Sequence, residues 1–184
     1  MTEMITEFSV SGSKVVVVGA GRSGTAASKL LVRRGASVTL SEEREVIDDP
    51  ESLREAGIKL ELGGHRPKTF DRAELIVLSP GVSPQVPVIA QARRSHIPVI
   101  SEVELAARWL RGRIVAITGT KGKSTTATLI GQMIKSSGKR VIVGGNIGDA
   151  LSNHVDESSS DVIHVVEVSS FQLELTQTFH PWIA

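Results

Sequence analysis

The chain has no cysteine and no tyrosine, and its aromatic content is only 3%. Without cysteine there is no disulfide, no thiolate nucleophile and no cysteine-ligated metal. So few aromatic rings leave little of the stacking platform on which unpaired bases are bound. Neither sign of charge is in excess: 21 Lys and Arg against 20 Asp and Glu leave a net charge of +1. That balance provides no electrostatic footprint for a nucleic-acid or membrane partner. No apolar run reaches the length of a membrane-spanning helix. The first seven residues, Met1 to Glu7, are acidic and lack the apolar core of a signal peptide. The expectation is a globular, monomeric, cytoplasmic protein.

What is present is concentrated in glycine-rich turns. The apolar run Val115-Ala116-Ile117 leads into Thr118-Gly119-Thr120-Lys121-Gly122-Lys123-Ser124-Thr125, which opens a helical pattern. Glycines there let backbone N–H groups converge on an anion, and a helix start adds partial positive charge. Lys123 is placed to reach β- and γ-phosphates, and the Ser124 hydroxyl to ligate Mg²⁺. The general eight-residue phosphate-loop pattern fails, because Ile117 stands where its first glycine belongs. The shorter form G-x-x-G-K-S remains. Lys121 is either a solvated loop charge or a second phosphate contact.

A second glycine turn lies upstream. Lys14 to Val18 reads as a buried strand, and Gly19-Ala20-Gly21-Arg22-Ser23-Gly24 joins it to a helix ending near Gly35. Glu42 falls about 20 residues on, at the end of a second strand, where a dinucleotide fingerprint carries its ribose-binding acid. Taken alone, this half reads as an NAD(P)-dependent oxidoreductase, although the fingerprint does not identify the nucleotide. Further strands are expected at 58–60, 74–78 and 97–100, and helices at 50–56 and 87–94. Ser101 is expected to cap the next helix, with Glu104 closing a capping box.

Strands alternating with helices predict a parallel α/β sheet. A Rossmann-like domain is expected over residues 1–111. The start of a phosphate-loop ATPase domain is expected over 112–184, too short to be complete. In that second part the helix from Ser124 presents Ala127, Ile130 and Ile134 on one face, with Leu129 and Met133 beside them. Glu167 ends the apolar strand 161–168 at the edge where the phosphate loop lies, so its carboxylate is a candidate Mg²⁺ ligand. His164, in the middle of that strand, is expected to be packed. Asn146 in Gly144-Gly145-Asn146-Ile147-Gly148 is either a turn residue or a ligand contact, and so is Ser79-Pro80-Gly81.

In this order the segments Gly19–Gly24, Ser79-Pro80-Gly81-Val82, Ile117–Thr125, Gly144–Gly148 and Glu167-Val168-Ser169-Ser170-Phe171-Gln172-Leu173-Glu174 resemble the Mur ligases, over the whole chain. The Ser-Ser-Phe-Gln-Leu run points to the member that adds D-glutamate. The resemblance implies an ATP- and Mg²⁺-dependent amide ligase of peptidoglycan precursor synthesis. Its substrates would be UDP-N-acetylmuramoyl-L-alanine, D-glutamate and ATP, joined through an acyl phosphate. ATP would lie on Gly119, Thr120, Lys121, Gly122, Lys123, Ser124 and Thr125, with Lys123 and Glu167 catalytic and Ser124 and Glu167 on the metal. The UDP-sugar would lie on Gly21, Arg22, Ser23, Glu42, Glu43, Arg44, Gly81, Asn146, Ser169 and Gln172. The chain departs from the family in having Lys121 where Asn is frequent and Glu42 where Asp is frequent. The family's remaining groups, the carbamylated lysine, adenine pocket and amino-acid site among them, would lie beyond Ala184. A phosphate-loop ATPase with an accessory Rossmann domain is the other rival reading.

Overall fold

Val15 and Val17 point to one side of the strand that carries the first glycine turn, Val16 and Val18 to the other, and all four are buried. A strand buried on both faces belongs inside a parallel sheet covered by helices. The computed structural model describes residues 8–184, so the acidic Met1–Glu7 stretch lies outside the described residues. The strand is β1 (Lys14–Val18), followed by α1 (Arg22–Arg33), β2 (Ser37–Ser41), α2 (Pro50–Glu55), β3 (Lys59–Glu61), α3 (Pro67–Phe70), β4 (Leu75–Leu78), α4 (Pro87–Arg94), β5 (Val99–Ser101) and α5 (Glu102–Ala107). The sheet order is β3-β2-β1-β4-β5, with every neighbouring pair parallel. This is the expected Rossmann-like arrangement, with its strands at the expected places and α3 added to the reading.

Next come β6 (Arg113–Ile117), α6 (Lys123–Ser136), β7 (Arg140–Gly145), two 3-10 turns (Leu151–Asn153 and Val155–Glu157), β8 (Val162–Glu167) and α7 (Ser170–Glu174). They build a parallel sheet ordered β6-β8-β7. β6 is also bridged by the chain's last residues, through Trp182 N–H to Ile114 O and Ala116 N–H to Ile183 O, both 2.8 Å. On one face Val115, Ile117 and Val165 pack against Ala127 of α6. Ile130 and Ile134 join that contact as expected. Leu129 and Met133 do not: they are 55% and 64% exposed. At 100° per residue they fall on the far side of α6 from Ala127. Among the described residues no helix is long and apolar enough to cross a membrane.

The other face of the second sheet packs against helices of the first. Ile114, Val166 and Val168 meet Leu30 of α1 and Val103 and Ala106 of α5, with Leu151 and Val155 of the 3-10 turns. α1 and α5 therefore lie between the two sheets and present apolar residues to both. This shared seam sets one glycine loop relative to the other.

Two buried glutamates of α5 hold the seam. Ser101 does cap α5, accepting from Glu104 N–H at 3.3 Å. The Glu104 side chain does not close the expected capping box. It turns away to accept from Gln177 N–H, Thr178 N–H, the Thr178 hydroxyl and Phe179 N–H, and from Arg108 Nε at 2.8 Å. Those backbone donors have no other partner, which is why they outbid the helix end. Burial pushes the Glu104 carboxyl up, and these donors more than reverse it, so its pKa is lowered.

Glu102 is fully buried and accepts from Ser152 N–H at 2.7 Å, while its other oxygen meets no donor. Burial pushes its carboxyl from the ordinary 4.5 up to about 7, opposed by Ser152 and reinforced by Asp149. A folded carboxyl that keeps its proton where the unfolded one has lost it stabilises fully below pH 4.5, and that contribution is lost as pH rises to about 7. Glu102→Gln retains an acceptor for Ser152 and cannot ionise. Thermal unfolding of the variant and parent should diverge as pH rises through this window, with the variant ahead by up to ~3 kcal/mol above it. Parallel curves would show that folded Glu102 ionises at the same pH as in the unfolded chain.

Candidate functional site

β6 ends at Ile117 and α6 begins at Lys123, with Gly119 and Gly122 at φ +136° and +79° in between. Those left-handed positions turn the loop over the start of a 14-residue helix. Lys123 Nζ donates to Gly119 O at 2.8 Å, closing the loop on itself. Thr120, Lys121, Ser124 and Thr125 are exposed around it.

The Ser124 hydroxyl donates to Glu167 Oε2 at 2.7 Å, and Asn146 Nδ2 donates to Glu167 Oε1 at 2.9 Å. Glu167 is the last residue of β8, only 2% exposed, and its register partner on β6 is Ile117 at the foot of the loop. Asn146 follows β7 and is pinned by its own N–H on Glu167 O at 2.8 Å. Gly145 permits that approach: it sits at φ +103°, and a Cβ there would stand 2.4 Å from Glu167 O. The hydroxyl and the carboxylate are adjacent hard oxygens at the loop mouth, and among the described residues no cluster of three metal-binding side chains exists. One carboxylate and one hydroxyl, completed by phosphates and water, is a set that suits Mg²⁺. His164 is packed as expected: it is fully buried, its Nε2 lies 2.9 Å from Ser158 Oγ, and burial, then His154, holds it down at about 4.

The first glycine loop is built against β4. Ser79 Oγ donates to Gly19 O at 2.8 Å, and Gly19 N–H donates to Ser41 O at 2.9 Å. Gly24 lies so close beneath the loop that a Cβ would stand 1.8 Å from Gly19 O. Ser79 thus acts as a loop strut. Above it opens a cleft of about 590 Å³ that brings Gly21, Arg22, Ser23, Glu42, Glu43, Gly81 and Asn146 together. It joins the two halves of the chain, because Asn146 comes from the second sheet. Arg22 ties them as well, donating from Nη1 to Gly148 O at 2.8 Å.

Three expected residues lie elsewhere. Arg44 lines a neighbouring cavity of about 480 Å³ with Lys29 and Asp149. Ser169 and Gln172 close a capping box on each other at the start of α7, and Gln172 Nε2 is buried without an acceptor. Glu42 lines the cleft, but its carboxylate accepts from Ala20 N–H at 2.7 Å and from Arg44. Burial raises its pKa, and the bonds from Arg44 and Ala20 more than offset this, so it falls to about 2. The cleft also contains Pro80 and Val82 of the turn read as a possible ligand contact, and His65, Ser83 and Val86, which sequence reasoning passed over. The turn Gly63-Gly64 after β3, at the carboxyl edge of the sheet, was the available signal for His65.

Two glycine-rich strand-to-helix loops, one on each of two parallel sheets that share a seam, define an α/β protein of two Rossmann-like halves. The family description "Mur ligase MurD-like, N-terminal domain" matches residues 13–101, and "Mur ligase middle domain" matches residues 117–181. The chain belongs to the Mur ligase family. It is 49% identical over 178 residues to UDP-N-acetylmuramoylalanine–D-glutamate ligase of Acidobacterium capsulatum, covering 95% of this chain and 39% of the relative. The ligase of the same name from Desulfosudis oleivorans is 48% identical, covering 93% and 38%. The chain thus spans about two fifths of the length of the curated relatives it matches. A pseudomurein peptide ligase type C from Methanothermus fervidus superposes with a TM-score of 0.52 at 27% identity, over 86% of this chain and 33% of that one. A murein peptide ligase from Psychrobacter arcticus shares the fold, with a TM-score of 0.55 at 16% identity over 87% and 38%.

Proposed function

We propose that this chain forms the UDP-sugar-binding part and the phosphate-loop part of an ATP-dependent ligase that adds D-glutamate to UDP-N-acetylmuramoyl-L-alanine, dividing near residues 111 and 112. The observation that carries this reading is the path Ser124–Glu167–Asn146, which links the phosphate loop to the end of the substrate cleft. A carboxylate lying at Asn146 is then close to a γ-phosphate held by Lys123 and the loop N–H groups. Its oxygen attacks the γ-phosphorus, the bond to the β-phosphate oxygen breaks, and ADP leaves an acyl phosphate. The D-glutamate amine then attacks the acyl carbon, phosphate departs, and the amine proton passes to solvent or a base.

The first step needs alignment and charge neutralisation more than covalent chemistry. Lys123 and the loop N–H groups supply positive charge, and Asn146 holds Glu167 toward Ser124. Mg²⁺, when bound at Ser124 and Glu167, would neutralise phosphate charge. Gly21, Arg22 and Ser23 would face the diphosphate, with Glu42, Glu43, Arg44 and Gly81 toward the nucleoside. Thr120, Lys121 and Thr125 would line the ATP phosphates. Ser169 and Gln172 would approach the muramoyl-alanine part, where the unpaired Gln172 Nε2 has a hydrogen bond to give. A monomeric, cytoplasmic enzyme fits this chemistry.

Calorimetric titration tests the reading. Saturable binding of UDP-N-acetylmuramoyl-L-alanine with no binding of NADH is the expected result. Binding of NADH alone would overturn it and make the first loop a dinucleotide site.

A further inference from the structure

Among the residues that line the substrate cleft, His65 carries the only aromatic ring. It stands on the turn after β3, beyond the carboxyl ends of β2 and β3. Asn146 enters the same cleft from the other sheet, next to the phosphate loop. A substrate whose reacting carboxylate lies at Asn146 and whose diphosphate lies over Gly21 to Ser23 must extend its nucleoside away from Asn146, toward Glu43 and His65.

The imidazole is held in place for contact. Its Nδ1 lies 2.8 Å from the hydroxyl of Ser41, which is itself buried. A hydrogen bond to a ring nitrogen lies in the ring plane and leaves the faces unobstructed. Phe70 packs nearby at 5.9 Å between ring centroids and 76° between planes, an edge contact that takes at most one face. The Glu42 carboxylate in the cleft is already engaged by Ala20 N–H and Arg44. In a chain with 3% aromatic residues and no tyrosine, this is the only aromatic ring among the described residues that line the cleft.

Building on the ligase reading, we propose that His65 is a further base-contacting residue of this cleft, stacking its imidazole on the pyrimidine of the uridine diphosphate substrate. Base–aromatic stacking tolerates any flat ring and does not depend on the imidazole proton. His65→Asn keeps a polar partner for Ser41 and removes the ring. His65→Phe keeps the ring and removes the polar partner. The test measures dissociation constants of the full chain and both variants for UDP, and for inorganic pyrophosphate, which has no base, by calorimetry.

The expected result is a roughly tenfold weaker UDP complex for His65→Asn, within the range of one lost stacking contact. Pyrophosphate affinity should be unchanged, and His65→Phe should bind UDP within about threefold of the parent. The proposal is overturned if His65→Asn binds UDP like the parent, if UDP and pyrophosphate weaken equally, or if His65→Phe binds UDP as poorly as His65→Asn. Failure of the parent to bind UDP would be a different result. It would remove the ligase reading of the cleft, and this proposal with it.

Discussion

Lys123→Ala should lower the proposed ATP-dependent ligation, measured in the full-length protein, by about a thousandfold or more while leaving the thermal midpoint nearly unchanged. The loss is large because phosphoryl transfer depends on charge placed around the transferring group, and removal of a single preorganised donor costs roughly two to three orders of magnitude. A lysine on the β/γ-phosphates also carries full charge, which strengthens its hydrogen bonds beyond those of neutral donors. The stability cost is small because Nζ bonds only the carbonyl of Gly119, at an exposed loop. Single-turnover measurement of acyl-phosphate formation, beside a melting curve, separates the two effects. Retained turnover, or an equal loss of fold and activity, would remove Lys123 from the chemistry.

Glu104→Ala should do the reverse, costing about 4 kcal/mol of stability and roughly 10 °C in melting temperature, with the phosphate loop intact. The carboxylate has no exposed surface and gathers the N–H groups of Gln177, Thr178 and Phe179, the Thr178 hydroxyl and Arg108. Deleting it removes the only carboxylate that Arg108 meets among the described residues and strands three backbone donors, and groups left unpaired in this way cost more than their bonds contributed. The loss should concentrate in residues 175–179, seen as faster amide exchange there than in β1. Because folded Glu104 has a lowered pKa, its contribution is present above the unfolded carboxyl pKa and is lost as pH falls through the lower folded one. The parent should therefore lose its advantage over the alanine variant in acid. A difference independent of pH would mean that neutral packing, and not the carboxylate, holds the segment.

Much of the fold was legible beforehand, for a physical reason. The β-branched run Val15 to Val18, the glycines after it and the 3.6-residue pattern of α6 are local signals, and local dihedral preference and periodicity act within a few residues. The same holds for the loop at Gly119 to Ser124, where glycine, lysine and serine are adjacent in the chain. The failures arose where a side chain had two possible environments. Leu129 and Met133 are apolar but sit on the outward side of α6, and hydrophobicity alone does not say which face is covered. Glu104 stands at a capping-box position, yet distant donors with no other partner outcompeted the helix end.

By itself the sequence determined two glycine-rich strand-to-helix turns, a parallel α/β alternation and the acid at the end of β8. Tertiary structure alone decided what those parts face. Ser124 meets Glu167 across 43 residues, Asn146 meets it across 21, and Arg22 reaches Gly148 across 126. It alone brought His65 to the cleft and put α1 and α5 between two sheets. Such pairings depend on which buried donors and acceptors remain unsatisfied once the helices pack, and that balance is struck only in the folded chain.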